Sequence, residues 1–236
     1  MRNLSTALSA LSTVVLLASP LAANGATFGP TPYLSSADSP FAGPFNYFHL
    51  ENFEDGSLNT PGVVASAGMV LSPAALTDSV DNDDGSTDGS GISGHSWYSN
   101  GNSSLTFTFD AGLLGALPTH AGLVWTDVGF ASGTNGFDNV TFEAFDAANN
   151  SLGVIGPSAL GDGLFGGQTA EDRFFGVTSA SGIGSIRITS ANSTDWEMDH
   201  LQYGLAPSAP TAVPEPGMLA LLGIGLMGIG IMRRRT

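Results

Sequence analysis

The sequence predicts an all-β chain, an antiparallel β-sandwich set between two apolar end segments. Three observations carry that expectation. Short runs alternate apolar and polar residues with period two, most clearly Leu105-Thr106-Phe107-Thr108-Phe109. Turn formers punctuate these runs, the 236 residues including 32 glycines and 13 prolines. Between the end segments no stretch sustains the 3.6-residue periodicity of an amphipathic helix.

Taken in order, strands are expected near Phe45–Phe53, Val63–Leu71, Ser104–Asp110, Gly122–Phe130 and Asn139–Asp146. Four more follow near Ser151–Ile155, Arg173–Thr178, Ser185–Thr189 and Glu197–Gly204. Val140, Phe142 and Ala144 repeat the alternation before a turn at Ala148-Asn149-Asn150-Ser151. Ile186 and Ile188 alternate with Ser185, Arg187 and Thr189. Short helical turns are expected only near Pro73–Leu76 and Ser158–Leu160. Nine short strands at this spacing, without an internal repeat, point to a jelly-roll-like sandwich.

The ends read as addresses. Arg2, an apolar stretch from Leu4 to Ala18, Pro20 and small residues up to Ala26 have the layout of a secretory signal peptide over residues 1–26. The domain is expected over 27–204, followed by a linker over 205–212 that contains Pro207 and Pro210. Residues 213–236 form a tail: Pro214-Glu215-Pro216, an uncharged run over 217–232, then Arg233, Arg234 and Arg235. As a helix that run spans roughly 24 Å, short of a hydrocarbon core of about 30 Å. Gly223, Gly225, Gly228 and Gly230 weaken it further, by about 1 kcal/mol each relative to alanine. The terminal arginines can snorkel to the headgroups and are expected on the cytoplasmic side. Gly223, Gly225 and Gly228 also spell GxGxxG, but no strand precedes them and no ribose-binding acid follows.

The order of Pro214-Glu215-Pro216, apolar run and triple arginine resembles the PEP-CTERM sorting signal of Gram-negative bacteria. That resemblance implies recognition by an exosortase-type enzyme, processing near the motif and delivery to the cell surface. The inner membrane, through the C-terminal helix, would be a transient partner. The resemblance covers about a tenth of the chain and concerns destination rather than task.

Charge narrows the partners. All six basic residues are arginines, and only Arg173 and Arg187 lie within 27–212, against twenty of the twenty-one acids. The exported part therefore carries a formal charge of about −18, which repels nucleic acid and anionic lipid. No cysteine is present, so disulfides cannot stabilise the fold and a divalent cation would be a natural substitute. No Gly-x-Ser-x-Gly elbow, His-Glu-x-x-His motif or cysteine nucleophile occurs, and His49, His95, His120 and His200 lack metal-ligand spacing. A non-enzymatic domain is expected, with a polysaccharide hydrolase or lyase the remotest alternative.

Three places could hold a ligand. The loop Asp81-Asn82-Asp83-Asp84-Gly85-Ser86-Thr87-Asp88-Gly89 offers Asp81, Asp83 and Asp88 as oxygen donors to a structural calcium. It opens like an EF-hand, but Ile92 stands where the bidentate acid is needed, and a solvated acidic loop is an equal reading. The second place joins the ends of the domain: Glu51, Glu54 and Asp55 in the first part and Asp199 in Trp196-Glu197-Met198-Asp199. This pairing resembles jelly-roll carbohydrate-binding and galactose-binding-like modules, which implies a calcium tying first strand to last through Glu54, Asp55 and Asp199. The alternative is that these acids cap turns or face solvent. The third is Trp97-Tyr98, flanked by His95 and Asn100, as a stacking platform for a glycan, with packing the alternative. Together these features lead to the expectation of a surface or exopolysaccharide-matrix component, and alternatively of a calcium-stabilised carbohydrate-binding module.

Overall fold

A computed structural model describes residues 25–74, 77–80, 94–128, 138–160 and 172–208. Their strands, in chain order, are β1 (Ala26–Pro32), β2 (Tyr47–Glu51), β3 (Val63–Ala65), β4 (Met69–Leu71), β5 (Ser96–Tyr98) and β6 (Ser104–Phe109). Then come β7 (His120–Val128), β8 (Asp138–Phe145), β9 (Ser151–Leu160), β10 (Arg173–Thr178), β11 (Ser185–Ser190) and β12 (Trp196–Leu205). One four-residue helix, α1 (Ala111–Leu114), starts at Asp110, whose side chain accepts from Gly112 N.

The strands form two antiparallel sheets. One has seven strands in the order β1-β10-β7-β12-β5-β4, with β2 also paired to β12, and the other has the order β3-β6-β11-β8-β9. β12 holds the larger sheet together, because β7 runs along one side of it while β5 and β2 share the other. The inner faces interdigitate: Leu105, Phe107, Phe142, Ile186 and Ile188 meet Leu123, Trp125, Phe175, Met198 and Tyr203 in one core. Phe142 and Phe175 have ring centroids 6.2 Å apart, and Trp125 stacks on Trp196 at 5.0 Å. Fully burying each such side chain is worth about 1.5–3 kcal/mol over exposure. The chain is thus an all-β sandwich, and the alternation read in β6, β8 and β11 faces the core as expected.

The single strand expected over Val63–Leu71 is two, one in each sheet. The crossover runs through Gly68, at φ +97°, where an added Cβ would lie 2.2 Å from Trp97 Nε1. β1 lacks alternation because Gly29, Pro30 and Pro32 interrupt it. It is tolerated as an edge strand, paired only along β10 in its sheet with a register shift between Phe28 and Thr31. The turn expected at Ser158–Leu160 is instead the end of β9.

The outer face of the seven-stranded sheet is covered as well. Tyr33, Phe41, Val80, Val124 and Phe174 pack there in a second, smaller cluster, joined by Phe28 and Phe45. Burial from both sides explains why nine of the ten residues of β12 are buried, charged ones included. Among the described residues no helix is long and apolar enough to cross a membrane. The signal segment to residue 24, Asp81, Asp83 and Asp88, and the tail with its 217–232 run lie outside the described residues.

Candidate functional site

β12 organises the polar groups. Trp196, Met198, Leu201 and Tyr203 enter the inter-sheet core, whereas Glu197, Asp199, His200 and Gln202 bond to segments over the opposite face. Two β-bulges make this possible. Opposite Glu197 and Met198, β7 carries one additional residue, Thr126, and between Asp199 and Gln202 β12 carries one relative to Val124 and Gly122. His200, at φ +45°, sits in that second bulge beside Asp199.

Along this face the polar groups fall into three adjoining sets. In the first, Gln202 Nε2 donates to the Tyr33 hydroxyl (2.8 Å), which lies 3.0 Å from His200 Nδ1, and Ser39 Oγ donates to Gln202 Oε1 (2.6 Å).

The second set contains two of the expected metal residues. Asp199 is fully buried, and its Oδ2 accepts from Val80 N (3.0 Å) and Ser79 Oγ (3.1 Å) while Oδ1 accepts from His200 N (2.6 Å). Glu54 Oε1 accepts from His95 N (2.6 Å) and lies 3.3 Å from Ser79 Oγ, whose single proton it shares with Asp199, and Glu54 Oε2 lies 3.3 Å from His95 Nδ1. Ser79 thus bridges Glu54 and Asp199, and the two acids hold Val80 and His95, the two stems of segment 81–93. Asp55 does not join them. It serves its own turn, accepting from Ser57 N (3.0 Å) and from Asn59 Nδ2. Among the described residues no three acids or histidines are grouped to hold a metal. Glu54, Asp55 and Asp199 therefore do not form one coordination shell; backbone and side-chain donors occupy the oxygens expected to face calcium. Glu51 is likewise a loop clamp, taking Phe53 N (3.1 Å) on Oε1 and Asn59 N (2.9 Å) and Thr60 N (3.0 Å) on Oε2.

The third set surrounds a cavity of about 350 Å³ lined by Leu71, Ser72, Ala74, Thr77, Tyr98, Asp127, Asp195, Trp196 and Glu197. Glu197 faces Asp127 of β7 on one side and Tyr98 of β5 on the other. Its Oε2 accepts from Asp78 N (3.1 Å) and from Ser96 Oγ. Burial pushes its carboxyl up to about 7, against the opposing pull of those two hydrogen bonds. Tyr98 is pushed up to about 12, first by burial, then by a hydrogen bond to Asp195 and the negative charges of Asp195 and Glu197.

Trp97 corrects an expectation. Only 8% of it is exposed, and its ring packs on Phe53 (5.5 Å) and Phe107 (6.1 Å) while Nε1 donates to Ala67 O (3.2 Å). It belongs to the core, and only a small remainder reaches a depression of about 520 Å³ beside Leu58, Val64 and Gly68. Its neighbour Tyr98 points the other way, because successive strand residues alternate sides.

A larger depression, about 730 Å³, lies beside β3, β6 and α1 and includes Thr106, Thr108, Asp110 and Asp146. Its acids are caps: Asp110 holds Gly112 N, and Asp146 accepts from Asn150 and Ala148. Those bonds, led by the Asn150 side chain, hold the Asp146 carboxyl below its usual range.

Asp127, Glu197 and Ser79 were not singled out from the sequence. Asp127 carries a signal, a charged residue beside the apolar run Leu123-Val124-Trp125, whereas Glu197 lies in a strand that also holds Asp199, His200 and Gln202 and is marked only by its place between Trp196 and Met198. Ser79 carries none, because only the fold brings it between Glu54 and Asp199.

No curated protein and no solved structure matches the chain. Residues 212–235 match the family model of the PEP-CTERM protein-sorting motif, which includes Pro214-Glu215-Pro216 and Arg233 to Arg235. Such motifs are substrates of exosortase-type sorting enzymes. The chain is therefore an exported protein with a C-terminal PEP-CTERM sorting anchor.

Proposed function

We propose that this protein is a non-enzymatic structural or adhesive component of the cell surface or extracellular polysaccharide matrix. The sorting motif over 212–235 carries the reading. The domain supports it: Glu51, Glu54 and Asp199 spend their oxygens on holding loops, which suits a durable scaffold. In this reading residues 1–26 direct export, the apolar run 217–232 halts the chain in the inner membrane with Arg233–Arg235 cytoplasmic, and the domain faces the periplasm. An exosortase-type enzyme then processes it near Pro214–Pro216 and releases it outward. A structural calcium, on this proposal, would be held by Asp81, Asp83 and Asp88, whose carboxylates suit a hard cation.

Mass spectrometry of the protein from surface and inner-membrane fractions of its host tests the route. The expected result is a surface form ending near residue 216, and accumulation of the uncut chain in the inner membrane when Pro214, Glu215 and Pro216 are replaced by alanine. A surface form that retains residues 217–235 would refute it.

A further inference from the structure

We propose that the cavity bounded by Leu71, Tyr98, Asp127, Asp195, Trp196 and Glu197 is a binding site for a primary ammonium group, carried by a lysine side chain or an amino sugar. This inference does not depend on where the sorting anchor delivers the domain.

The cavity is anionic with no cation of its own. Asp127 from β7, Asp195 ahead of β12, and Glu197 on β12 line it, and Asp78 packs against Glu197 through its backbone amide. The chain has no lysine, and its only arginines between residues 3 and 232 are Arg173 and Arg187. Arg187 pairs with Glu143 on the five-stranded sheet, and Arg173 donates to the Asp172 carbonyl. The histidines are engaged elsewhere, His95 with Glu54, His200 with Tyr33, His120 with Thr119, and His49 against Tyr47 and Tyr203.

A second observation points inward. Glu197 is 4% exposed, and its side-chain hydrogen bonds both fall on Oε2, so Oε1 is left as an open acceptor at the cavity wall. Oε1 opens onto the cavity, where a carboxylate oxygen that accepts no protein hydrogen bond is a strong acceptor for a charged donor. The remaining wall is apolar or aromatic: Leu71, Ala74, Trp196 and the ring of Tyr98. A hard divalent ion needs six to eight oxygens, whereas an alkylammonium needs one or two carboxylates and is further favoured by an aromatic face.

Ammonium binding must favour the ionised form of Glu197, so it should release a proton and strengthen as pH rises through about 7. The probe is n-butylammonium chloride, titrated calorimetrically into the full chain in neutral detergent. Affinity is expected to rise about tenfold between pH 6 and pH 8, following the ionised fraction of one carboxyl. n-Butanol should not bind, and Glu197→Gln should weaken binding and remove the pH dependence. Because the wild-type pH profile is informative alone, the proposal does not rest on the variant folding. A lysine-containing peptide and a glucosamine oligomer should each displace the probe, the tighter one naming the carrier. The proposal is overturned by a pH-independent affinity, by equal binding of n-butanol, by unchanged binding in Glu197→Gln, or by displacement with N-acetylglucosamine oligomers as readily as with glucosamine oligomers.

Discussion

Replacing Trp97 with alanine should unfold the protein far more easily rather than merely alter its surface. The side chain is 8% exposed, packs on Phe53 and Phe107, and closes the crossover between the sheets through its bond to Ala67 O. Removing a buried tryptophan costs about 3–5 kcal/mol, because the surrounding side chains collapse only partly into the space. For a domain of this size a loss near 4 kcal/mol lowers the melting temperature by roughly 8–16 °C. Trp97→Phe keeps a ring against Phe53 and Phe107 but loses the N–H donor, for about 1 kcal/mol. Gly68→Ala should be nearly as damaging as Trp97→Ala. Its Cβ would meet Trp97 Nε1 at 2.2 Å and Tyr98 O at 2.8 Å, at a φ that disfavours side chains. Because one of those two contacts is the indole, Gly68→Ala and Trp97→Phe should be non-additive, the second softening the first. Urea unfolding followed by tryptophan fluorescence, with Trp125 and Trp196 present throughout, reads the wild type, the three single variants and the double variant. A Trp97→Ala loss below about 1 kcal/mol would refute the reasoning and return Trp97 to the surface as a candidate sugar platform.

Two further outcomes concern acidic groups. Glu197, raised by burial from 4.5 to about 7, binds its proton more tightly folded than unfolded, so its stabilisation is present below pH 4.5 and is lost as pH rises through 7. That slope is about 3 kcal/mol in total, and chemical denaturation of Glu197→Gln between pH 4 and pH 8 should show it removed; an unchanged slope would assign it to other groups. If calcium is bound by Asp81, Asp83 and Asp88, chelation with EDTA should lower the melting temperature by several degrees, through the loss of ligand-linked stability. An identical melting curve with EDTA and with millimolar calcium would reject the ion.

The candidate site was legible only in pieces. Glu54 and Asp199 were identified as residues that tie early chain to late, and the fold does bring them to one serine. Their chemistry differed from the expectation, because a carboxylate's partners are set by whichever donors the backbone presents. Here those are the amides of Val80, His95 and His200. Asp55 looked equivalent to Glu54 in sequence, yet a neighbouring turn claimed it first, as short Asp side chains commonly do. In sequence Trp97 and Tyr98 form one aromatic pair, whereas in a strand adjacent residues face opposite ways. The first lies in the core and the second beside an acidic cavity.

What the sequence determined by itself was whatever depends on local order. Period two in β6, β8 and β11 requires a strand with one apolar face, and such faces must be buried against one another. The Pro-Glu-Pro, apolar and triple-arginine order is read linearly, and the match over 212–235 agrees with it. Tertiary structure alone decided where β12 lies. Its bulges and its burial on both faces follow from β7, β5 and β2 closing around it and from Tyr33, Phe41 and Val80 covering it. No local pattern encodes a second covering layer, since it is formed by segments more than 100 residues away. That layer turned Glu197 and Asp199 from ordinary strand polar positions into buried carboxylates.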